Sequence, residues 1–113
     1  MVWMFALVAA CGSDAPTTQP AARDQAAATA CSYYMRCGQI GAGQTYVSSD
    51  DCLTQLKAYF NSTWPQDTCT SISSTGFDNC ITAINIASCD NLSDAIDVIF
   101  NKCTMANVCS STG

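Results

Sequence analysis

The sequence predicts an all-α fold, a small four-helix antiparallel bundle stapled by four disulfides. Three observations carry that expectation. Apolar residues recur at three- and four-residue steps from Arg23 onward, no segment alternates with period two for long, and nine cysteines fall in a chain of 113 residues. A helical core of about 85 residues buries only a modest apolar area, and a small exported domain offsets that shortfall with bridges. Each bridge typically adds about 2–4 kcal/mol by restricting the unfolded chain.

The elements follow in order. A first helix is expected from Arg23, with Ala27, Ala30, Cys31 and Tyr34 on one face, Asp24 near its start and Gly38 suited to its C-terminal cap. Residues 39–47 contain Gly41 and Gly43 and read as a loop, in which Gln44-Thr45-Tyr46-Val47 is the one stretch able to form a short strand. Ser48 or Ser49 opens a second helix, with Asp50 and Asp51 at the positive end of its dipole. Its apolar face is Cys52, Leu53, Leu56, Tyr59 and Phe60, and Pro65 stops it past Trp64. After a polar loop carrying Cys69, Ser74 or Thr75 caps a third helix with Phe77, Cys80, Ile81, Ile84 and Ser88 on its face. Asn91 or Ser93 caps a fourth, with Leu92, Ala95, Ile96, Ile99, Phe100 and Cys103 along one side, and Cys109 pins a short polar tail.

The N-terminus is of another kind. Residues 1–10, MVWMFALVAA, form an unbroken apolar run, too short to span a bilayer as a helix but of the length of a signal-peptide core. Val8-Ala9-Ala10-Cys11 resembles the lipobox of bacterial lipoproteins. That resemblance implies a diacylglyceryl group on the Cys11 thiol, cleavage before it, and Cys11 as the acylated N-terminus. The run departs from the pattern in having no Lys or Arg ahead of it. Two other readings stand beside this one: an ordinary secretory signal, or a buried N-terminal helix with Cys11 in the core. Gly12 follows the cysteine where some bacteria place an aspartate for inner-membrane retention, so by analogy the outer membrane is the expected destination. The domains expected are a signal peptide at 1–10, the lipidated Cys11 and a flexible tether at 11–22, and a disulfide-rich helical domain at 23–113. A tether of eleven residues reaches roughly 18 Å on average.

With Cys11 set aside, Cys31, Cys37, Cys52, Cys69, Cys80, Cys89, Cys103 and Cys109 form an even set of eight. Eight cysteines allow 105 pairings, so connectivity is not readable. Hairpin geometry suggests Cys37–Cys52 across the first turn and a bridge from Cys89 to the last segment. No metal site is expected, since the chain has neither histidine nor a C-x₂-C pair.

The run Cys69…Asp78-Asn79-Cys80-Ile81-Thr82-Ala83-Ile84…Ser88-Cys89-Asp90-Asn91-Leu92…Cys103…Cys109 resembles the small cysteine-rich lipoproteins of myxobacteria and related deltaproteobacteria. The resemblance covers most of the mature chain and rests on cysteine spacing and helical periodicity. Those proteins are mostly of unknown function, so the resemblance implies a lipid anchor and supplies no catalytic residues to carry over. Plant lipid-transfer proteins also pack helices around eight cysteines, but their adjacent Cys-Cys and Cys-x-Cys elements are absent here.

Composition narrows the function. The four basic residues, Arg23, Arg36, Lys57 and Lys102, are scattered in a chain of net charge −5, so no nucleic acid is expected as a partner. Without histidine or glutamate, acid–base chemistry would rest on Asp50 and Asp51 or on Asp94 and Asp97, whose places at helix starts are explained by capping. No enzyme activity and no cofactor are expected. The expected function is a lipid-anchored cell-envelope protein acting as a binding or structural module, with the membrane as its partner through the anchor. Tyr33, Tyr46 and Trp64 are either exposed recognition groups or residues that finish a small core. The alternative is a secreted helical carrier or effector for a lipid-like small molecule, against which Tyr59, Phe60, Phe77 and Phe100 stand as core fillers.

Overall fold

A computed structural model describes residues 16–90, 96–97 and 101–110. Helix α1 runs Gln19–Arg36, α2 Ser49–Thr63, α3 Ser74–Ile86 and a one-turn α4 Met105–Val108. The architecture is all-α with four disulfides, and among the described residues β-structure is limited to two isolated bridges, Ile40 with Tyr46 and Ile72 with Cys109. The helix expected after Asn91 lies largely outside the described residues, although 96–97 and 101–102 are helical.

Helix α1 opens four residues ahead of the expected Arg23. Thr18 caps it by accepting from the Ala21 N–H, and Pro20 sits in the first turn, where its missing donor costs nothing. Residues 19–22, expected in the tether, therefore belong to the domain. Gln19 and Ala22 are buried, and the Gln19 Nε2 donates to the Trp64 carbonyl at 2.6 Å and to Asn61 Oδ1 at 3.1 Å. At the other end, Gly38 adopts φ 74° and closes α1 in a Schellman turn, with Gly38 N–H donating to Met35 O and Gln39 N–H to Tyr34 O.

The Gln19–Trp64 bond joins the start of α1 to the end of α2, so the two helices are antiparallel. The end of α1 meets the end of α3, where the Tyr33 hydroxyl donates to Ser88 O at 3.0 Å and Arg36 donates to Asn85 O and Ala87 O. The topology is up, down, up. A stripe of Ala22, Ala26, Ala27 and Ala30 brings α1 close to its neighbours, and the bulk of the core comes from Tyr33, Phe60, Trp64, Phe77 and Ile84. Trp64 is fully buried; its ring stacks on Phe60 at 4.5 Å, and its Nε1 donates to Cys103 O at 2.8 Å.

Ser73, one residue ahead of the expected cap, opens α3 by accepting from Gly76 N–H. The tail then folds back over this end. Ser73 N–H donates to Val108 O, Ser110 N–H donates to Ser71 O, and the Asn107 carbonyl lies against the Gly76 backbone. A Cβ at residue 76 would overlap that carbonyl, so the close approach requires glycine.

The bridges are Cys31–Cys52, Cys37–Cys89, Cys69–Cys109 and Cys80–Cys103, with Cα separations of 5.9, 5.3, 5.2 and 4.7 Å. Both expected pairings are corrected. In the antiparallel pair, Cys52 in the first turn of α2 lies level with Cys31, more than a turn back from the end of α1. Cys37 caps α1 at the exit of α3 and so meets Cys89, whereas Cys103 and Cys109 are taken by Cys80 and Cys69.

Candidate functional site

Of the aspartates singled out in the sequence, Asp51 serves the start of α2. The Asp51 carboxylate accepts from Val47 N–H at 3.2 Å and from Gln55 Nε2 at 3.0 Å, while Ser48 Oγ accepts from Asp51 N–H at 3.1 Å. Asp50 is exposed in the same turn, and Asp97 is exposed on the segment at 96–97. Asp94 and Cys11 lie outside the described residues.

The three aromatic candidates divide. Tyr33 and Trp64 are fully buried, and the Arg36 guanidinium sits 5.3 Å from the Tyr33 ring centre. Burial raises the Tyr33 hydroxyl pKa, with Arg36 opposing. These two finish the core. Tyr46 does not, because it stands half-buried on the loop between α1 and α2.

There it forms one wall of a cleft of about 250 Å³ between α1, α2 and the 37–48 loop. Tyr34, Tyr46, Gln55, Leu56, Tyr59 and Phe60 line it, together with Ala30 and Ile96. The loop is shaped for this by its own backbone. Gly41 N–H donates to Tyr46 O, Tyr46 N–H donates to Gln39 O, and Gly41 and Gly43 take φ 141° and 78°. That turn holds the Tyr46 ring 5.1 Å from Tyr34 at an interplanar angle of 76°. On α2 the Tyr59 and Phe60 rings meet at 5.0 Å and 73°.

Burial pushes the Tyr34 hydroxyl up from its ordinary 10.0 to about 12, with Tyr46, Tyr33 and Tyr59 adding to the effect. Tyr46 is raised as well, first by burial; the Tyr34 hydroxyl opposes the rise and the Asp51 carboxylate adds to it. Tyr34 and Tyr46 therefore present neutral phenols to the cleft to a higher pH than an ordinary tyrosine. None of these lining residues is charged, and none is a nucleophile activated for chemistry. The arrangement offers ring faces, phenol oxygens and one amide, a set suited to holding a ligand.

Sequence reasoning singled out Tyr46 but placed Tyr34 and Tyr59 on core faces. The signal for bringing the three together was the glycine-bounded loop, whose hydrogen bonding depends on the folded backbone. A second hollow of about 190 Å³ lies over the Cys31–Cys52 bridge, lined by Ala28, Ser32, Met35 and Leu53.

Neither the curated proteins nor the solved structures contain a match to this chain. A family model does match, and its span includes all eight bridged cysteines, the glycine-bounded loop and the whole of α2 and α3, while the first part of α1 precedes it. The chain belongs to the family of unknown function DUF6184, whose model matches residues 31–111.

Proposed function

We propose that this protein is a lipid-anchored module of the bacterial cell envelope, of the small cysteine-rich lipoprotein type, held at the outer membrane and acting by binding rather than by chemistry. The carrying observation is a cysteine count that resolves without remainder. All eight cysteines after Cys11 pair with one another, which supports assigning Cys11, behind its apolar run and two alanines, to a lipid. Two or three acyl chains hold a protein stably at a membrane, whereas one chain, at about 0.8 kcal/mol per buried methylene, does so only marginally. Six residues separate Cys11 from the Thr18 cap.

The alternative, a secreted carrier or effector for a lipid-like molecule, needs an enclosed apolar chamber. The centre of the described core is occupied by Tyr33, Phe60 and Trp64, and the cleft of about 250 Å³ is below the roughly 300–1,000 Å³ of usual ligand pockets. Binding of something smaller suits it better.

Mass spectrometry of protein from its native host tests the anchor. The expected N-terminal peptide starts at Cys11 and carries a diacylglyceryl adduct, and Cys11→Ser abolishes both the adduct and recovery with the membrane fraction. An unmodified Cys11, or cleavage at another bond, overturns the proposal.

A further inference from the structure

We propose that the cleft between α1 and α2 recognises a quaternary ammonium group of the trimethylammonium class. This goes beyond the anchored-module reading and stands whether or not Cys11 carries a lipid.

An aromatic face is electron-rich, and a cation over it is attracted, most strongly where water is partly excluded. Tyr34 and Tyr46 meet at 76°, so their faces form a corner, where a flat ring could stack on only one wall. A rounded cation touches both. Tyr59 adds a third ring, and Phe60, at 1% exposure, closes the floor. Leu56 offers an apolar surface to methyl groups.

The polar groups carry the matching sign. Gln55 Nε2 is engaged by Asp51, leaving its carbonyl oxygen as the acceptor. The Asp51 carboxylate acts on Tyr46 from the rim, while its own oxygens are held by Val47 N–H and Gln55. It contributes field rather than an ion pair. Among the described residues no cation lines the cleft. Arg23 and Lys57 face Asp24 at 2.9 and 3.9 Å, and Arg36 is committed to the carbonyls at the end of α3. With a net charge of −5, the protein attracts cations at long range as well.

These observations select among small ligands. An anion would face Asp51 and the Gln55 carbonyl without a positive partner. A primary ammonium would have to exchange the water on three N–H donors for phenol and Gln55 oxygens, while Leu56 and Phe60 offer it no acceptor. A sugar would place hydroxyls against Leu56 and Phe60. A quaternary ammonium has charge without N–H groups, and its methyls fit apolar walls.

The test uses the full chain with its disulfides formed, titrated with choline and with 3,3-dimethylbutan-1-ol, which has the same shape but no charge. Tyrosine-ring NMR shifts report binding. Choline is expected to saturate the shifts and to bind at least about five-fold tighter than the alcohol, the scale of a partly exposed cation–ring contact. Tyr46→Leu, on a surface loop, is expected to weaken choline binding at least about five-fold, whereas Tyr46→Phe, which keeps the ring, retains it. Vesicles of phosphatidylcholine and of phosphatidylglycerol distinguish a lipid headgroup from a free solute. Preferential binding to the former assigns the headgroup, and choline binding with equal indifference to both vesicles assigns the solute. Equal affinity for the neutral alcohol, an unaffected Tyr46→Leu variant that is folded by circular dichroism, or no saturable shift with choline overturns the proposal.

Discussion

The two ends of the helical bundle are built on different principles. At one end the start of α1, the end of α2, the start of α3 and the tail converge on Trp64. There the indole donates to Cys103 O, Gln19 donates to the Trp64 carbonyl, and the Cys69–Cys109 and Cys80–Cys103 bridges are buried. At the opposite end Tyr34 and Tyr46 are only partly buried, the connecting loop is glycine-bounded, and Cys89 of the Cys37–Cys89 bridge is exposed. Packing and hydrogen bonding close the first end. At the second, the Cys37–Cys89 bridge and the Tyr33 and Arg36 hydrogen bonds tie α1 to the exit of α3, while Tyr34 and Tyr46 stand outside that seam, half-buried beside the loop.

Substitutions can break this contrast. The largest effect is expected from Trp64→Ala, which empties the centre of the closed end and leaves the Cys103 carbonyl without its indole donor. A loss of about 5 kcal/mol in a urea unfolding curve is expected, enough to unfold much of a small domain. Removal of Cys37–Cys89 sharpens the contrast instead. As the bridge with an exposed sulfur-bearing residue, it is expected to be reduced first by a mild thiol, with alkylation found at Cys37 and Cys89 alone. Yet its 52-residue separation is the longest of the four, so its loss is expected to cost about 4 kcal/mol against about 3 for the 21-residue Cys31–Cys52 span, in matched double-alanine variants compared by denaturation.

A smaller effect is expected at Gly76. Gly76→Ala forces the tail off the start of α3 and is expected to cost about 3 kcal/mol, read from the unfolding midpoint. Ser48→Ala removes the α2 cap at the open end and is expected to cost about 1 kcal/mol.

The alkaline limb comes last. Tyr34 in the folded protein holds its proton to about 12 against 10.0 ordinarily, and Tyr33 and Tyr46 shift the same way. The unfolded chain therefore releases these protons first. Their contribution to stability is complete below about pH 10 and is lost as pH rises through about 12. A phenolate absorbance titration checks this, with Tyr34→Phe expected to remove the latest step.

Much of the bundle was legible because its signals are local. Ser48 with Asp50 and Asp51 marks the start of α2, the spacing of Phe77, Cys80 and Ile84 marks the buried face of α3, and Gly38 marks the end of α1. The start of α1 was hidden, since Thr18-Gln19-Pro20 has the composition of a tether until Gln19 finds the Trp64 carbonyl. The bridges were hidden because pairing depends on which helix turns lie level, and spacing does not encode that. The cleft combines both difficulties. Tyr34 and Tyr59 belong to helical faces, but Tyr46 reaches them only through backbone hydrogen bonds within the loop.

The Gln19–Trp64 contact also fixes an orientation. It seats the first residue of α1 at the closed end, so the N-terminal segment enters the domain there. Tyr34 lies 15 residues farther along the helix, about 22 Å at 1.5 Å per residue. Were the chain held by its N-terminus as proposed, the domain would stand on its tryptophan end with Tyr34 directed away from the point of attachment.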